Sequence, residues 1–161
     1  MPEAVPYNPL RIFKFKLYFL DEADNPVAGI SKMGPLKQKN ESIAWRTGGH
    51  VKNSSSQVPG GTTYEPVTFE QGLGLDDGRF ENWAFAVSSW KDGQGAFDNA
   101  AFRKDLRVDV LDLSGAAKLT YILSSAWVSE YQATPELDAN NMNTIGIQSF
   151  TVQFEGWSRQ T

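Results

Sequence analysis

The chain has 161 residues, with 15 Lys and Arg against 19 Asp and Glu, so its formal net charge is −4. This is the length of one domain, and it is sufficient to bury an independent core. The composition is 40% hydrophobic and 21% charged, which excludes a wholly disordered chain. The acidic balance argues against a dedicated nucleic-acid binder, and the lack of cysteine excludes a disulfide framework and a thiol nucleophile.

The N-terminal end lacks the features of a targeting segment. Residues 1–6 have neither the basic nor the apolar region of a secretory signal, so we expect no signal peptide. The apolar stretch Leu10–Leu20 is interrupted by basic residues and is too short to cross a bilayer, so we expect no membrane insertion. We expect a single domain over residues 1–161, with residues 1–9 as a flexible N-terminal segment.

The first predicted strand covers Leu10–Leu20, where apolar side chains alternate with basic ones. A strand with one buried face and one solvent-exposed face indicates an antiparallel sheet rather than a parallel one. Short strands are also expected over Val27–Met33 and Glu41–Arg46, and Ile43 and Trp45 share a face of the latter. The face of the first strand expected in the core carries Phe13, Phe15, Leu17 and Phe19.

A long polar segment separates these strands from the next one. Thr47–Pro66 is rich in Gly, Ser and Pro and has neither the helical nor the strand periodicity, so we predict a loop. Loops of this length in compact domains are usually functional or disordered. Strand character resumes over Val67–Gln71.

Apolar side chains at helical spacing predict one helix after this strand. The carboxylates of Asp76 and Asp77 precede it and are expected to cap its N-terminus. The segment Asp92–Gly95 is expected to end it. The apolar stripe consists of Phe80, Trp83, Ala84, Val87 and Trp90.

The C-terminal third predicts a hairpin and a last strand. A strand around Leu106–Val110 is followed by the turn residues Asp112–Gly115 and a returning strand from Leu119 toward Trp127. A polar connection over residues 130–143 precedes a strand over residues 144–157. The apolar phase of that strand slips, so we expect a β-bulge near Gln148 and Ser149.

Candidate catalytic groups are few. His50 is the only histidine and lies in the polar segment, where a solvated loop residue is the simpler interpretation because no Cys or His stands at ligand spacing. Asp76 and Asp77 fit a helix cap better than an acid/base pair. We therefore expect no catalytic, cofactor-binding or metal-binding residues. The tryptophans suggest a glycan-binding surface as an alternative, but the helical spacing of Trp83 and Trp90 and the pairing of Trp45 with Ile43 favour the core or a subunit contact.

Several stretches, taken in order, resemble the tail tube proteins of contractile phages and the inner tube proteins of phage-tail-like contractile injection systems. The similarity extends from about Leu10 to Trp157. The segments that carry it are Ile43–Gly48, Tyr64–Gly72, Asp105–Asp112, Leu123–Tyr131, Pro135–Ala139 and Phe150–Trp157.

The resemblance implies a mainly β fold, a two-sheet antiparallel β-barrel with one flanking α-helix and the Hcp-like tail-tube architecture. It implies a structural subunit rather than an enzyme, with no cofactor. Hexameric rings would stack into a tube around a channel for DNA or protein cargo. Its partners would be further copies, a contractile sheath protein, and baseplate hub and spike proteins. The protein would assemble in the bacterial cytoplasm and end in a phage tail or a released extracellular particle that translocates effectors.

The segment 47–66 is the natural element for stacking one ring on the next, because it is long, polar and able to order on contact. The residues expected at this interface are Arg46, Thr47, His50, Lys52 and Tyr64. Two alternatives remain open: a secreted hexameric ring protein of a type VI secretion system, and a monomeric β-sandwich that binds glycans. The face carrying Lys14 and Lys16 meets water either in the channel or outside it.

Overall fold

The computed structural model describes residues 9–49, 51–74, 77–87 and 102–160. The described residues form nine β-strands and one α-helix. They are β1 (Phe15–Phe19), β2 (Ile30–Met33), β3 (Gln38–Trp45), β4 (Ser56–Tyr64), β5 (Val67–Gly72), α1 (Arg79–Ala86), β6 (Lys104–Leu111), β7 (Ala117–Gln132), β8 (Ile147–Gln153) and β9 (Gly156–Arg159), with a short 3-10 helix over Leu20–Glu22 after β1.

Two antiparallel sheets share the long strand β7. The hydrogen-bonded order is β1-β6-β7-β8-β5-β2, with β9 also on β7. The first part of β7 pairs with β6 and β9, whereas Trp127–Gln132 pairs with β8. The strand changes sheet near Ser125, whose φ of 51° is unusual for a residue with a side chain. A hydrogen bond from the backbone of Val27 to the carbonyl of Leu17 (2.8 Å) links the β2 end of this path to β1.

The core lies between the two sheets and follows the period of two that β-strands impose. β5 and β8 each bury every second side chain, as predicted for residues 67–71. The first strand is shorter than Leu10–Leu20, and Phe13, which was expected in the core, is 60% exposed because it precedes β1. The buried set includes Leu17, Phe19, Val67, Phe69, Leu106, Val108, Leu123, Phe150 and Val152.

The helix α1 packs against this core through Phe80 and Trp83, as its apolar spacing predicts. The ring of Phe80 lies 4.3 Å from that of Phe150, centroid to centroid. The indole N–H of Trp83 donates to the carbonyl of Phe102 (2.5 Å). The N-cap position itself is occupied by Gly78, but the Asp77 carboxylate accepts the backbone N–H of Arg79 (3.3 Å), the first residue of α1, as the predicted cap requires. Asp76, Trp90 and the predicted end at Asp92–Gly95 lie outside the described residues, as do residues 1–8 and His50.

The hairpin between β6 and β7 is confirmed, including its turn. One carboxylate oxygen of Asp112 accepts hydrogen bonds from the backbone N–H of Ser114 (2.9 Å) and of Ala116 (3.0 Å). Gly115 has a φ of +90°, which a side chain rarely permits. The returning strand continues past Trp127 to Gln132, which shifts the polar connection from the predicted residues 130–143 to residues 133–146.

The predicted last strand is in fact two strands, β8 and β9, that belong to different sheets. The register of β8 against β5 is continuous, so the bulge expected near Gln148 is wrong. The irregularity lies instead on β7, between Val128 and Glu130. The alternation of apolar residues is interrupted in the sequence because Gln148, a polar residue, points into the core and is 9% exposed.

The loop predicted over Thr47–Pro66 is wrong over Ser56–Tyr64, which forms β4 and pairs with β3. The two strands make a separate two-stranded sheet. Because neither of its faces is buried, no selection for apolar alternation marks β4 in the sequence.

Candidate assembly surfaces

The β3–β4 hairpin is the most exposed structured part of the described chain. Every residue of β3 is exposed, and the two strands pack chiefly on each other. An isolated two-stranded hairpin is marginally stable in water, so such an element gains from contact with a further surface. The hairpin is therefore a candidate docking element.

One face of this hairpin is apolar toward its tip. Ile43 is the register partner of Val58, and the side chain of Trp45 lies on the same face as both because alternate residues of a strand share a face. They are 54%, 43% and 57% exposed, respectively. The pairing shifts between Asn40 and Ser42. The sequence signal for this patch is the alternation of Ile43 and Trp45, which we interpreted as part of the core or of a subunit contact.

The opposite face of the hairpin is polar. Asn40 accepts a hydrogen bond from the hydroxyl of Thr62 (2.7 Å), and the hydroxyl of Ser42 donates to the side-chain oxygen of Gln57 (2.6 Å). These pairs satisfy the polar groups across the strands. The hairpin therefore presents one polar face and one apolar face, and only the apolar face would gain from burial.

The five predicted interface residues do not form one cluster. Arg46, Thr47 and Lys52 lie together at the exposed tip, where the Arg46 guanidinium donates to the carbonyl of Asn53 (3.3 Å). Tyr64 lies at the base instead, with its ring 6.1 Å from that of Phe154. His50 lies outside the described residues.

A second exposed surface lies at the opposite end of the sheet. The hairpin leaves and rejoins the sheet where β2 ends and β5 begins, whereas the connection 133–146 joins the end of β7 to the start of β8. The register places these two sites at opposite ends of β5, since Val67 pairs with Val152 and Gly72 with Ile147. Sequence analysis did not identify the apolar residues of this connection as a site. They are Leu137, Met142 and Ile145, which are 77%, 91% and 81% exposed.

The carboxylate of Asp77 has a structural role. Its oxygens bind the Arg79 guanidinium at 2.8 and 2.9 Å and accept the backbone N–H of Ala28 at 2.9 Å. Arg79 also binds Glu22 (2.7 Å), so the cluster ties the start of α1 to the segment before β2. The hydrogen bonds from Arg79 lower the pKa of Asp77 to about 2, against an ordinary value of 3.8. An anion this strongly stabilised is a poor proton acceptor near neutral pH.

An apolar groove of about 360 Å³ lies between the sheets near the base of the hairpin. None of the described residues that line it is charged. Among the described residues, no group of three or more His, Cys, Asp or Glu is placed to hold a metal ion. No helix in the described part of the chain is both long and apolar enough to traverse a lipid bilayer. The groove is lined chiefly by Phe15, Met33, Leu36, Val110, Tyr121 and Trp157.

The fold is that of the tube components of contractile injection systems. A chain from the PVC sheath-tube complex of an extracellular contractile injection system superposes with a TM-score of 0.74 at 20% identity, covering 97% of this chain and 93% of that one. A chain from the six-fold symmetrised baseplate of the anti-feeding prophage superposes with a TM-score of 0.74 at 15% identity, covering 95% and 96%. Hcp1 from Salmonella typhimurium is more distant, with a TM-score of 0.51 at 9% identity, covering 90% and 83%.

The sequence identifies the family. Residues 11–158 match the model of the T4-like virus tail tube protein gp19, and the chain belongs to that family. It is therefore an inner tube subunit of a contractile tail or contractile injection system, as the resemblance indicated. A comparison with curated protein sequences finds no significant match.

Proposed function

We propose that copies of this chain close into hexameric rings and that the rings stack, through the β3–β4 hairpin, into a rigid tube around an open channel. The observation that carries the proposal is the hairpin itself. It is a structured element with an apolar face formed by Ile43, Trp45 and Val58, whose side chains are 54%, 57% and 43% exposed on the single chain. Contiguous exposed apolar surface of this kind marks a protein contact.

Unpaired strand edges support ring closure. Within the described residues, β1, β2 and β9 each pair on one side only. Open edges promote pairing with other chains, and natural proteins cover or pair them. Contacts between different edges of neighbouring copies are heterologous, and a heterologous contact closes into a ring when its rotation fits. The six-fold symmetry of the anti-feeding prophage baseplate supports a hexamer.

The tube would act as a conduit and not as an enzyme. DNA or protein cargo would pass through the channel, a sheath protein would surround the tube, and baseplate hub and spike proteins would hold its end. Assembly would take place in the bacterial cytoplasm, and the product would be part of a phage tail or a released extracellular particle. The net charge of −4 suits a channel for nucleic acid, since an acidic wall would repel phosphate.

The two alternatives are less well supported. The Hcp1 superposition, at a TM-score of 0.51, is weaker than the 0.74 of the tube components, which favours the tube over a type VI ring protein. A glycan-binding surface needs exposed tryptophans, but Trp83 is buried, and Trp127 and Trp157 are half-buried. Trp45 is exposed, yet it lies beside aliphatic side chains on the hairpin rather than in a cleft.

A hairpin deletion tests the proposal. Gln38 and Tyr64 are register partners, so an Asn-Gly turn can join them in place of residues 39–63. Keeping Tyr64 preserves its packing against Phe154. We expect a circular dichroism spectrum and a thermal unfolding midpoint close to those of the intact protein, with tubes absent from electron micrographs.

Each result has a defined meaning. The proposal would be supported if the intact protein forms rings or tubes with a central hole and the deletion variant loses only the stacked tubes. Tubes of normal length from the folded deletion variant would contradict stacking through the hairpin. An intact protein that stays monomeric at high concentration, also with its sheath and baseplate proteins present, would contradict tube formation altogether.

A further inference from the structure

The two exposed apolar surfaces of the chain lie at opposite ends of one sheet and differ in charge. At the hairpin tip, residues 46–55 contain the basic residues Arg46 and Lys52 and no acidic residue. At the far end, residues 133–146 contain Glu136 and Asp138 and no basic residue. All four charged side chains belong to exposed residues. One end of the subunit is thus apolar and basic, and the other is apolar and acidic.

We infer that the hairpin tip of one copy docks on the 133–146 connection of the next copy along the tube. This inference rests on the proposed function and adds the receiving surface to it. Opposite charges beside matching apolar patches favour this pairing over tip against tip, where basic groups would meet. The occupant of each surface is therefore a second copy of this chain.

The connection has the order that a receiving surface requires. The Asp138 carboxylate accepts the backbone N–H of Asn140 (3.0 Å), and its carbonyl accepts that of Asn141 (3.1 Å). At its C-terminal end, the carbonyl of Gly146 accepts the backbone N–H of Leu73 (3.0 Å). These bonds fix the segment while its apolar side chains remain directed to solvent, and Met142 is 91% exposed. A segment already fixed in place loses little conformational entropy on contact.

The geometry also excludes the same contact within one copy. β5, between the two ends, spans the residues Val67–Gly72. At about 3.4 Å per residue, the ends of this strand are roughly 17 Å apart. The hairpin, moreover, emerges at the end that lies away from the connection. A tip that meets a 133–146 connection must therefore meet that of another chain.

Charge reversal at Lys52 and Glu136 gives the deciding experiment. Neither side chain has an ion pair or hydrogen bond within the described residues, so K52E and E136K leave the subunit's own contacts intact. We expect each single variant to raise the lowest protein concentration that yields tubes by about tenfold or more, because like charges then face each other at every contact around a ring. We expect K52E/E136K to return that concentration to within a few-fold of the original.

A matched control separates pairing from net charge. Lys118 is an exposed lysine on β7, which is not an edge strand, so K118E/E136K has the same net charge as K52E/E136K but no complementary contact. We expect this control to assemble no better than E136K alone. Circular dichroism of every variant checks that the subunit is folded, and rings counted in electron micrographs separate loss of stacking from loss of ring closure.

A cysteine pair provides a second measurement that does not depend on reversed charges. Because the chain has no cysteine, V51C/M142C introduces one thiol at each surface. Head-to-tail docking predicts a ladder of disulfide-linked chains after oxidation of tubes, whereas either single variant yields no ladder. Tip-to-tip docking predicts dimers of V51C alone and would overturn the inference.

The failures of the two proposals are distinguishable. Normal assembly of both single variants, lack of rescue in K52E/E136K, or equal rescue in K118E/E136K would overturn the docking inference while tubes of the intact protein still support the proposed function. An intact protein that forms neither rings nor tubes would instead overturn the proposed function.

Discussion

Gln148 donates a hydrogen bond of 2.8 Å from its side-chain amide to the side-chain oxygen of Gln71, its register partner across β5 and β8. Both residues are buried, and the network continues to the edge of the core. The Gln71 amide donates to the carbonyl of Ala28 (2.7 Å), and the Tyr131 hydroxyl donates to the Gln148 oxygen (3.1 Å). Buried polar groups that are fully paired specify one register, because any slip would leave them unsatisfied.

Replacement of Gln148 by Leu should be destabilising by about 1–3 kcal/mol, since the oxygen of Gln71 loses its donor and the hydroxyl of Tyr131 loses one of its two partners, Glu81 being the other. Urea unfolding followed by circular dichroism, below the concentration of assembly, measures the loss. The double variant Gln71→Leu/Gln148→Leu removes both glutamines and should lose less than the sum of the two single variants. Strict additivity would show that the pair is not coupled.

Acid should weaken the ion pair between Asp77 and Arg79. The pKa of Asp77 is lowered to about 2 in the folded state, from an ordinary 3.8. As the pH falls, Asp77 is therefore protonated in the unfolded state before it is protonated in the folded state. The stabilisation that the ionised carboxylate provides is complete above about pH 4 and is lost as the pH falls through about 2. A shift of this size corresponds to roughly 2 kcal/mol.

Asp77→Asn should therefore be less stable than the unaltered protein by roughly 2 kcal/mol at neutral pH, and the difference should shrink toward pH 2. Chemical unfolding over a pH series measures it. The exposed Asp24 provides the matched control, and Asp24→Asn should be close to neutral throughout. A difference that is constant with pH would contradict the assigned role of the carboxylate.

The two phenylalanines of α1 should respond differently to truncation. Phe80 is fully buried and lies among the rings of Phe19, Phe69 and Phe150, so Phe80→Ala should cost about 3–5 kcal/mol. Phe85 is 54% exposed, and Phe85→Ala should cost less than about 1 kcal/mol. Thermal unfolding compares the two, and similar losses would contradict the placement of the helix.

The turn at Gly115 requires a left-handed backbone. Gly115 has a φ of +90°, so Gly115→Ala should lower the free energy of unfolding by about 1–2 kcal/mol. Gly61 has no atom within 4 Å of the position a Cβ would take and serves as the control, with an expected change within about 0.5 kcal/mol. Equal effects in urea unfolding would show that the turn tolerates a side chain.

Trp45 should report on assembly. Its side chain is 57% exposed in the single chain and would become covered when the apolar face of the hairpin docks. Quenching of tryptophan fluorescence by acrylamide should therefore decrease on tube formation, and the decrease should be smaller in Trp45→Phe. The same decrease in both proteins would place the hairpin face outside the contact.

The strands with one buried face were predictable from sequence because burial forces apolar residues onto alternate positions. β5 is an example, and burial of one side of α1 likewise forces apolar residues to recur at helical spacing. β4 was missed because neither of its faces is buried, so Pro59, Gly60 and Gly61 suggested a loop. Gln148 was misjudged because its partner lies 77 positions away in the sequence, and no local pattern indicates that a polar residue will be paired in the core.

The candidate assembly surfaces were only partly predictable for the same reason. The tip residues Arg46, Thr47 and Lys52 were chosen from a polar segment and do lie together, but Tyr64 does not join them. The apolar residues of the 133–146 connection gave no periodic signal. Their relation to the hairpin depends on which strand ends share an edge of the sheet, and this is a property of topology rather than of sequence.

The placement of the hairpin and the 133–146 connection at opposite ends of one sheet gives each subunit a direction. A column built from such units by the proposed docking would have two unlike termini, one with free hairpin tips and one with free 133–146 connections. Every added layer recreates the terminus it covers, so nothing in the repeating contact itself sets a final length. A column of defined length therefore needs a separate component that measures it and another that blocks its growing terminus.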